Sequence, residues 1–171
     1  MLSTNKGISK KSGTKDFLTA VRQVAIGLAS DHGGFELKEK LRNILQANNY
    51  HVLDFGAYSN KSCDYPKFGI KLVKAILSKK VNRGILLCRS GIGFSILANR
   101  FKDIRAALCY NVQAARTCRR HNNSNILILG ADYIKEKDAE KILDVWLNTE
   151  FEGGRHLRRL KQIEKFSKGS N

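Results

Sequence analysis

The stretch from Gly84 to Arg100 reads GILLCRSGIGFSILANR, and it constrains the fold more than any other part of the chain. Its apolar start, which ends at Cys88, predicts a buried strand, and the apolar residues from Phe94 to Ala98 recur at helical spacing after a glycine-rich turn. This order is typical of an open α/β sheet, in which Cys88 would lie at the carboxyl end of its strand. There it would face the N–H groups of a helix N-terminus, which attract anions and lower the pKa of a thiol. Cys88 is therefore a candidate thiolate.

Two other interpretations of this stretch bear on function. A free cysteine often serves as a small buried hydrophobic residue, and this alternative stays open for Cys88. The loop lacks the Lys and Ser/Thr of a P-loop, and it does not give the full G-x-G-x-x-G fingerprint of dinucleotide sites. A nucleotide site is thus poorly supported.

Four further apolar runs alternate with amphipathic segments along the chain. The runs lie at residues 23–30, 51–55, 105–110 and 125–129, and the helical patterns lie at residues 35–45, 66–77, 112–120 and 137–147. Near-continuous apolar strands separated by helices predict an α/β fold with a parallel sheet that is buried on both faces. Right-handed crossovers then favour a doubly wound five-stranded parallel sheet in the order 2-1-3-4-5, with helices on both faces.

This strand order brings two polar groups together. Asp31 and His32 follow the first strand, and Cys88, Arg89 and Ser90 end the third. Because the winding reverses between these two strands, their carboxyl ends would flank the crevice where open α/β sheets bind ligands. Asp31 has the alternative role of capping the helix that follows it.

Three other positions each have two interpretations. Tyr65 could present its hydroxyl group to a ligand or cover the end of a helix. His121 ends the predicted fourth helix, where a cation also stabilises the helix C-terminus. Arg155 and Arg159 are four residues apart and share a helix face that suits one phosphate, although a solvated basic helix or an RNA contact would need the same residues.

The chain is strongly basic, with 31 Lys and Arg against 15 Asp and Glu and a net charge of +16. Clustered cations can bind nucleic acid. Here the charge is scattered through the helical segments, and no basic patch is interleaved with aromatic residues. We therefore favour a basic solvated surface, or a site for small anionic substrates, over a nucleic-acid partner.

Composition also sets expectations for organisation and location. Residues 1–21 are polar and lack periodicity, which predicts a basic flexible tail, and residues 22–171 are predicted to form one domain that ends in a basic helix. We find no apolar run long enough to cross a bilayer and no secretory signal after Met1, so no membrane partner is expected. The four cysteines show neither a CxxC pair nor zinc-ligand spacing, which favours reduced thiols in a cytoplasmic protein and predicts no metal site.

Five motifs together resemble those of type B ribose-5-phosphate isomerases, whose wider family includes galactose-6-phosphate isomerase subunits. They are DHGGFELK at 31–38, DYP at 64–66, CRSGIG at 88–93, RRHNN at 119–123 and FEGGRHLRR at 151–159. The resemblance runs from about Val24 to Phe166. It implies a Rossmann-like sheet and a homodimer or dimer of dimers with a shared active site. It further implies interconversion of ribose 5-phosphate and ribulose 5-phosphate in the pentose phosphate pathway, without a metal or other cofactor.

The resemblance implies a role for each matching residue. Cys88 matches the base that moves a proton between C1 and C2, and Ser90 with the amides of Gly91 and Gly93 matches the loop that stabilises the enediolate. Asp31 would assist proton movement between the sugar oxygens, and His121 of the neighbouring subunit would open the furanose ring. The remaining matches are substrate-binding positions: His32, Tyr65, Asn122, Arg155 and Arg159, of which His32 and the two arginines would contact the phosphate.

Two residues depart from the family pattern. Arg89 stands where glycine is usual, so the backbone there must avoid positive φ. Asp132 stands where an arginine that reaches the phosphate is common, and a carboxylate would repel that group. We hypothesise that Arg89 supplies the missing positive charge and binds the substrate. The departures also leave room for allose 6-phosphate or galactose 6-phosphate as substrate, and a basic RNA-binding protein or a sugar-phosphate sensor remains an alternative of another class.

Overall fold

The computed structural model of the chain describes residues 25–166, and the predicted tail at 1–21 lies outside these residues. The strands within the described residues are β1 (Ile26–Ser30), β2 (Val52–Asp54), β3 (Arg83–Cys88), β4 (Ala106–Leu108) and β5 (Ile126–Gly130). The helices are α1 (Phe35–Ala47), α2 (Tyr65–Leu77), α3 (Ile92–Ala98), α4 (Val112–Asn122), α5 (Glu136–Asn148) and α6 (Gly154–Phe166). Each strand and helix predicted between residues 25 and 166 is present, with ends that shift by a few residues.

The five strands form one parallel sheet, which confirms the predicted fold class. Their order is β2-β1-β3-β5-β4, so the predicted order 2-1-3-4-5 is wrong for the last two strands. The reason lies in hydrophobicity: all five residues of β5 are buried, whereas β4 has three residues that are only partly buried. The longer apolar strand therefore occupies the interior position beside β3, and the short strand forms the edge.

Two hydrophobic cores cover the two faces of the sheet. Alternate residues of a strand point to opposite faces, so Leu127 and Leu129 join the core under α1, α4 and α5. Ile126 and Ile128 join the core under α2 and α3, and Cys88 lies on this second face. Helices thus pack on both faces, as a doubly wound sheet requires.

The segments that follow β1 and β3 lie close together at the carboxyl edge of the sheet. β1 pairs with β3, so Ser30 lies beside Leu87 and the segments after both strands leave the same edge of the sheet. Gly34 makes this close approach possible, because a Cβ atom there would lie 2.3 Å from the carbonyl oxygen of Leu87. Pro66 lies in the first turn of α2, as predicted. Among the described residues, no helix combines the length and the apolar character that crossing a membrane would need.

Candidate active site

Cys88 ends β3 and turns its sulfur toward the following loop. The side chain is 6% exposed, and its Sγ accepts the N–H of Gly91 at 3.1 Å. Gly91 has a φ of 80°, which lets the chain turn sharply enough to bring that N–H over the sulfur. The expected neighbourhood of a thiol and backbone amides is therefore present.

The predicted lowering of the Cys88 pKa is wrong. Burial raises the pKa of this thiol above its ordinary value of 9.0, and the charge of Asp31 raises it further. The N–H groups of Gly91, Phe94 and Ser90 act in the opposite direction without overcoming burial. The resting group is a thiol in a mostly apolar setting, with amide donors already directed at its sulfur.

Asp31 and His32 lie in the turn that follows β1, beside the end of β3. The Oδ1 atom of Asp31 accepts the N–H of Gly34 at 2.9 Å, which braces the turn before α1. Gly34 is the N-cap residue of α1 and no side chain caps this helix, so Asp31 does not have the capping role that was its alternative. The Nδ1 atom of His32 accepts the N–H of Cys63 at 3.3 Å. In the neutral imidazole the proton then resides on Nε2, which remains a donor for a ligand.

Tyr65 lies against the loop after Cys88. A Cβ atom at Gly93 would lie 2.8 Å from Cζ of Tyr65 and 3.1 Å from its hydroxyl oxygen, so the absence of a side chain at 93 admits the ring. The ring also meets Phe94 edge to face, with centroids 5.3 Å apart. Ser90 lies in the same loop, and its Oγ accepts the N–H of Ile92 at 3.2 Å. Its own hydroxyl proton can therefore be donated to another group.

Arg89 and Asp132, the two departures from the family pattern, form an ion pair. Nε of Arg89 lies 3.0 Å from Oδ2 of Asp132, with both side chains largely exposed. The Arg89 chain crosses Gly33, because a Cβ atom at Gly33 would lie 2.3 Å from Cγ of the arginine. Arg89 is absent from the positive-φ residues of the described chain, so the backbone condition for a side chain at this position is met.

The structure thus brings eight predicted site residues together at one edge of the sheet. They are Asp31, His32, Tyr65, Cys88, Arg89, Ser90, Gly91 and Gly93. The remaining four are not among them within one chain.

His121 and Asn122 lie at the opposite edge, because α4 runs back along the sheet and ends there. The segment that follows α4 ends at Asn125, directly before β5. The backbone carbonyl of Asn125 accepts the N–H of Gly84, near the beginning of β3, at 2.9 Å. Its backbone N–H donates to the carbonyl of Arg105, directly before β4, at 3.0 Å. The six residues of β3 span about 16 Å, which separates this edge from Cys88. Arg155 and Arg159 lie on α6, which packs against α4, and are likewise remote from Cys88.

A polar cluster surrounds His121. Its ring stacks on that of His156 with centroids 4.2 Å apart and planes at 5°, and Oε2 of Glu152 lies 3.6 Å and 3.5 Å from the two Nε2 atoms. Arg120 binds the same carboxylate and lowers the pKa of Glu152. Burial lowers the pKa of His156, and the charge of the neighbouring His121 lowers it further.

The ligand atoms of His121, Glu152 and His156 lie within 4.8 Å of one another, a spacing that could hold a metal ion. The two rings lie in parallel planes, however, and a metal must lie near the plane of each imidazole that binds it. One ring would have to turn before both could bind the same ion. The sequence did not indicate this cluster, since Glu152 and His156 lie more than thirty positions after His121.

Sequence reasoning also missed a buried charge on α1, the helix that follows Asp31 and His32 in the chain. Lys38 on α1 is fully buried, and its ammonium group binds the carboxylates of Asp54 and Glu39. Ser30, the last residue of β1, is buried as well, and its Oγ has no hydrogen-bond partner in the described part of the chain. The only signal in the sequence was the position of Lys38 on the apolar face of an amphipathic helix. Lysine is rarely buried on such a face unless a carboxylate pairs with it.

Comparisons with known proteins agree with this geometry. Residues 26–163 match the model of a family described as Ribose/Galactose Isomerase. A Rickettsia bellii relative is 47% identical over 139 residues, covering 81% of this chain and 96% of its own, and its name specifies a sugar phosphate isomerase without naming the sugar. The structure is similar to that of Clostridium thermocellum ribose-5-phosphate isomerase B, with a TM-score of 0.84, 44% identity, and 86% and 99% of the two chains covered. It is also similar to ribose-5-phosphate isomerase B from Mycoplasma genitalium with bound ribulose 5-phosphate, with a TM-score of 0.80, 34% identity, and 85% and 97% covered.

The parallel sheet, the thiol at its crevice and these matches define an α/β sugar phosphate isomerase. More narrowly, the chain belongs to the ribose/galactose isomerase family, which confirms the resemblance seen in its five motifs.

Proposed function

We propose that the protein interconverts ribose 5-phosphate and ribulose 5-phosphate, with Cys88 as the base that moves a proton between C1 and C2. One observation carries the proposal: the Cys88 sulfur stands at the crevice between β1 and β3 and accepts the Gly91 N–H at 3.1 Å, beside the turn that holds Asp31. A base at this point can reach a sugar held at the carboxyl edge of the sheet.

The loop after Cys88 suits the second requirement of the reaction, which is to stabilise an enediolate. The Ser90 hydroxyl has its proton available, and the amides of Ser90, Gly91 and Phe94 are directed at the Cys88 sulfur, beside which the enediolate would form. Loss of one such donor costs on the order of 3 kcal/mol in comparable oxyanion sites. In this proposal Asp31 moves the proton between the sugar oxygens while keeping its contact to Gly34.

The phosphate end of the substrate would meet His32, and Arg89 would lie beside it. The Nε2–H of His32 is available to an anion because Nδ1 is already occupied by the Cys63 N–H. Tyr65 would line the sugar pocket between Phe94 and Gly93.

We further propose that a second copy of the chain completes the site, in a homodimer or a dimer of dimers. His121, Asn122, Arg155 and Arg159 lie at the wrong edge of their own sheet to meet Cys88, and no side chain spans about 16 Å. In the proposal, His121 of the partner subunit opens the furanose ring, and the partner's Arg155 and Arg159 bind the phosphate. We expect this assembly in the cytoplasm, where the four free thiols would stay reduced.

A hexose 6-phosphate is the second candidate substrate. The Arg89–Asp132 pair at the crevice favours it as an alternative, because this pair departs from the pattern of ribose-5-phosphate isomerases. A longer sugar would place its phosphate differently against these two side chains.

The test is a coupled assay on the purified full-length chain without added metal, with ribose 5-phosphate, allose 6-phosphate and galactose 6-phosphate as parallel substrates. We expect the highest kcat/KM for ribose 5-phosphate and its loss in Cys88→Ala. Preference for a hexose phosphate would support the second candidate. Full activity of Cys88→Ala would overturn the assignment of the base.

A further inference from the structure

Two further thiols lie close together away from the crevice, on the face of the sheet opposite to Cys88. Cys109 directly follows β4, Cys118 lies in α4, and their sulfur atoms are 3.8 Å apart. The side chains are 1% and 9% exposed. A disulfide requires sulfur atoms about 2.05 Å apart, so the two sulfur atoms would need to approach each other by less than about 2 Å.

A chain of hydrogen bonds ends at the Cys118 sulfur. The indole N–H of Trp146 donates to Oγ of Ser124 at 2.8 Å, and the Ser124 hydroxyl donates to Sγ of Cys118 at 3.2 Å. The indole has no acceptor, so it fixes the direction of the serine proton toward the sulfur. The Ala115 carbonyl, 3.2 Å from the same sulfur, accepts the proton of the un-ionised thiol.

These contacts distinguish the two sulfur atoms chemically. The hydrogen bond from the Cys109 thiol lowers the pKa of Cys118, and Ser124 and the nearby Arg119 lower it further. The same hydrogen bond raises the pKa of Cys109, which keeps its proton. Cys118 is therefore the nucleophile of the pair, and Cys109 is the thiol placed to react second.

Small molecules can approach Cys118 through a cavity. A cavity of about 540 Å³ at the amino-terminal edge of the sheet is lined by Cys118, Asn122 and Ser124, together with the segment 99–107 before and within β4. It admits a molecule much larger than a peroxide. This edge is opposite to the one that carries Cys88.

We propose that Cys109 and Cys118 form an oxidation site that a hydroperoxide converts to an intramolecular disulfide. The Cys118 thiolate attacks one peroxide oxygen, breaks the O–O bond, and becomes a sulfenic acid as hydroxide leaves. The Cys109 sulfur then attacks the Cys118 sulfur, forms the S–S bond and displaces water. The two thiols lose two electrons and two protons in total, and hydrogen peroxide is reduced to two molecules of water.

The other two cysteines make different contacts. The Cys63 sulfur faces Nδ1 of His32 at 3.9 Å, and the Cys88 sulfur faces the Gly91 amide at 3.1 Å. Burial also raises the pKa of Cys88, which slows its reaction with peroxide at neutral pH. Cys63 faces a histidine and Cys88 a backbone amide, whereas Cys109 and Cys118 face each other, so we expect the disulfide to form at 109 and 118.

The test treats the full-length reduced protein with one molar equivalent of hydrogen peroxide, followed by alkylation and tryptic digestion without reductant. Trypsin cleaves after Arg116, so Cys109 and Cys118 fall in separate peptides, residues 106–116 and 117–119. We expect these peptides to be joined, with a loss of two titratable thiols per chain and of two hydrogens in intact mass, all reversed by dithiothreitol. Cys63 and Cys88 should remain alkylated.

Two variants test the order of events. Cys109→Ser leaves Cys118 without a second thiol and should accumulate a sulfenic acid that dimedone traps, whereas Cys118→Ser should leave Cys109 reduced. Oxidation at Cys63 or Cys88 with the 106–116 and 117–119 peptides unjoined would overturn the proposal, and so would joining seen only in denaturant. Thiol counts and masses do not depend on isomerase activity, so this outcome is separate from that of the proposed function.

Discussion

The reactivity of Cys88 is set by opposing influences on a single sulfur atom. Burial favours the thiol, and the amides of Gly91, Phe94 and Ser90 favour the thiolate. Because the pKa of Cys88 is raised, the thiolate is the minor form of this group at neutral pH. Such a base is scarce but strong, and a strong base is what removal of a proton beside a carbonyl requires.

This balance predicts a rising pH profile. Because the pKa of Cys88 is raised, the thiolate fraction grows with pH over the whole range below that pKa, and kcat/KM for ribose 5-phosphate should rise by up to about tenfold per pH unit between pH 7 and pH 9. Initial rates across this range measure the slope. Cys109→Ala, which removes a buried thiol on the other face of the sheet, should keep the slope, and a flat profile would contradict a Cys88 base.

The Arg89–Asp132 pair gives a second prediction for single residues. Asp132→Asn should release Arg89 toward the substrate phosphate and lower KM for ribose 5-phosphate by about twofold to fivefold, while Arg89→Gly should raise it. Steady-state kinetics at fixed ionic strength measure both effects. Glu140→Gln removes a comparable exposed carboxylate on α5 and serves as the control. An unchanged KM in Arg89→Gly would show that Arg89 does not bind the phosphate.

At the scale of elements, the turn between β1 and α1 depends on two glycines with different surroundings. A Cβ atom at Gly34 would lie 2.3 Å from the Leu87 carbonyl oxygen and 2.9 Å from the Cys88 nitrogen, both in the backbone of β3. A Cβ atom at Gly33 would meet the Arg89 side chain, which is exposed and can move. The approach of α1 to β3 therefore requires glycine at 34 more strictly than at 33.

We expect Gly34→Ala to lower the free energy of unfolding by about 1–3 kcal/mol, because the backbone of β3 must shift to admit the methyl group. Gly33→Ala should cost clearly less. Urea denaturation of the two variants and the parent protein measures the difference. Equal losses would mean that the close contact at Leu87 does not limit the packing of α1.

The elements show what the sequence could and could not predict. Periodicity identified each strand and helix between residues 25 and 166, and the winding rule brought Asp31 to Cys88. The order of β4 and β5 was wrong because chain order was given more weight than strand length and apolar character. The predicted lowering of the Cys88 pKa was wrong because the sequence of the turn indicates the nearby amides but does not indicate how deeply the thiol is buried. Lys38 with Asp54 and Arg89 with Asp132 are pairs distant in sequence, which no local pattern indicates.

At the scale of the whole molecule, the proposed site residues lie in two groups at opposite edges of the sheet. The group with Cys88 would move the proton, and the group with His121 would open the ring and bind the phosphate. In a two-fold symmetric dimer each interface residue of one copy meets the same partner surface in the other, so both sites would be completed at once. A single copy would hold two incomplete halves.

This arrangement predicts complementation between inactive variants. Cys88→Ala and His121→Ala should each lack isomerase activity, but equal amounts unfolded and refolded together should recover about a quarter of the parent rate, since half of the dimers are mixed and each has one intact site. The coupled assay measures the recovery, and each variant refolded alone is the control. No recovery in a mixture whose mixed dimers are confirmed by native mass spectrometry would place the whole site within one copy.

The hydrogen-bond chain from Trp146 through Ser124 to Cys118 has an optical consequence. Trp146 is the single tryptophan of the chain, fully buried, and the guanidinium groups of Arg83 and Arg119 lie over its ring. Its fluorescence should therefore respond when the sulfur two hydrogen bonds away changes from a thiolate to a disulfide. Emission recorded during peroxide addition, and again after reductant, would follow that conversion in real time without any attached dye.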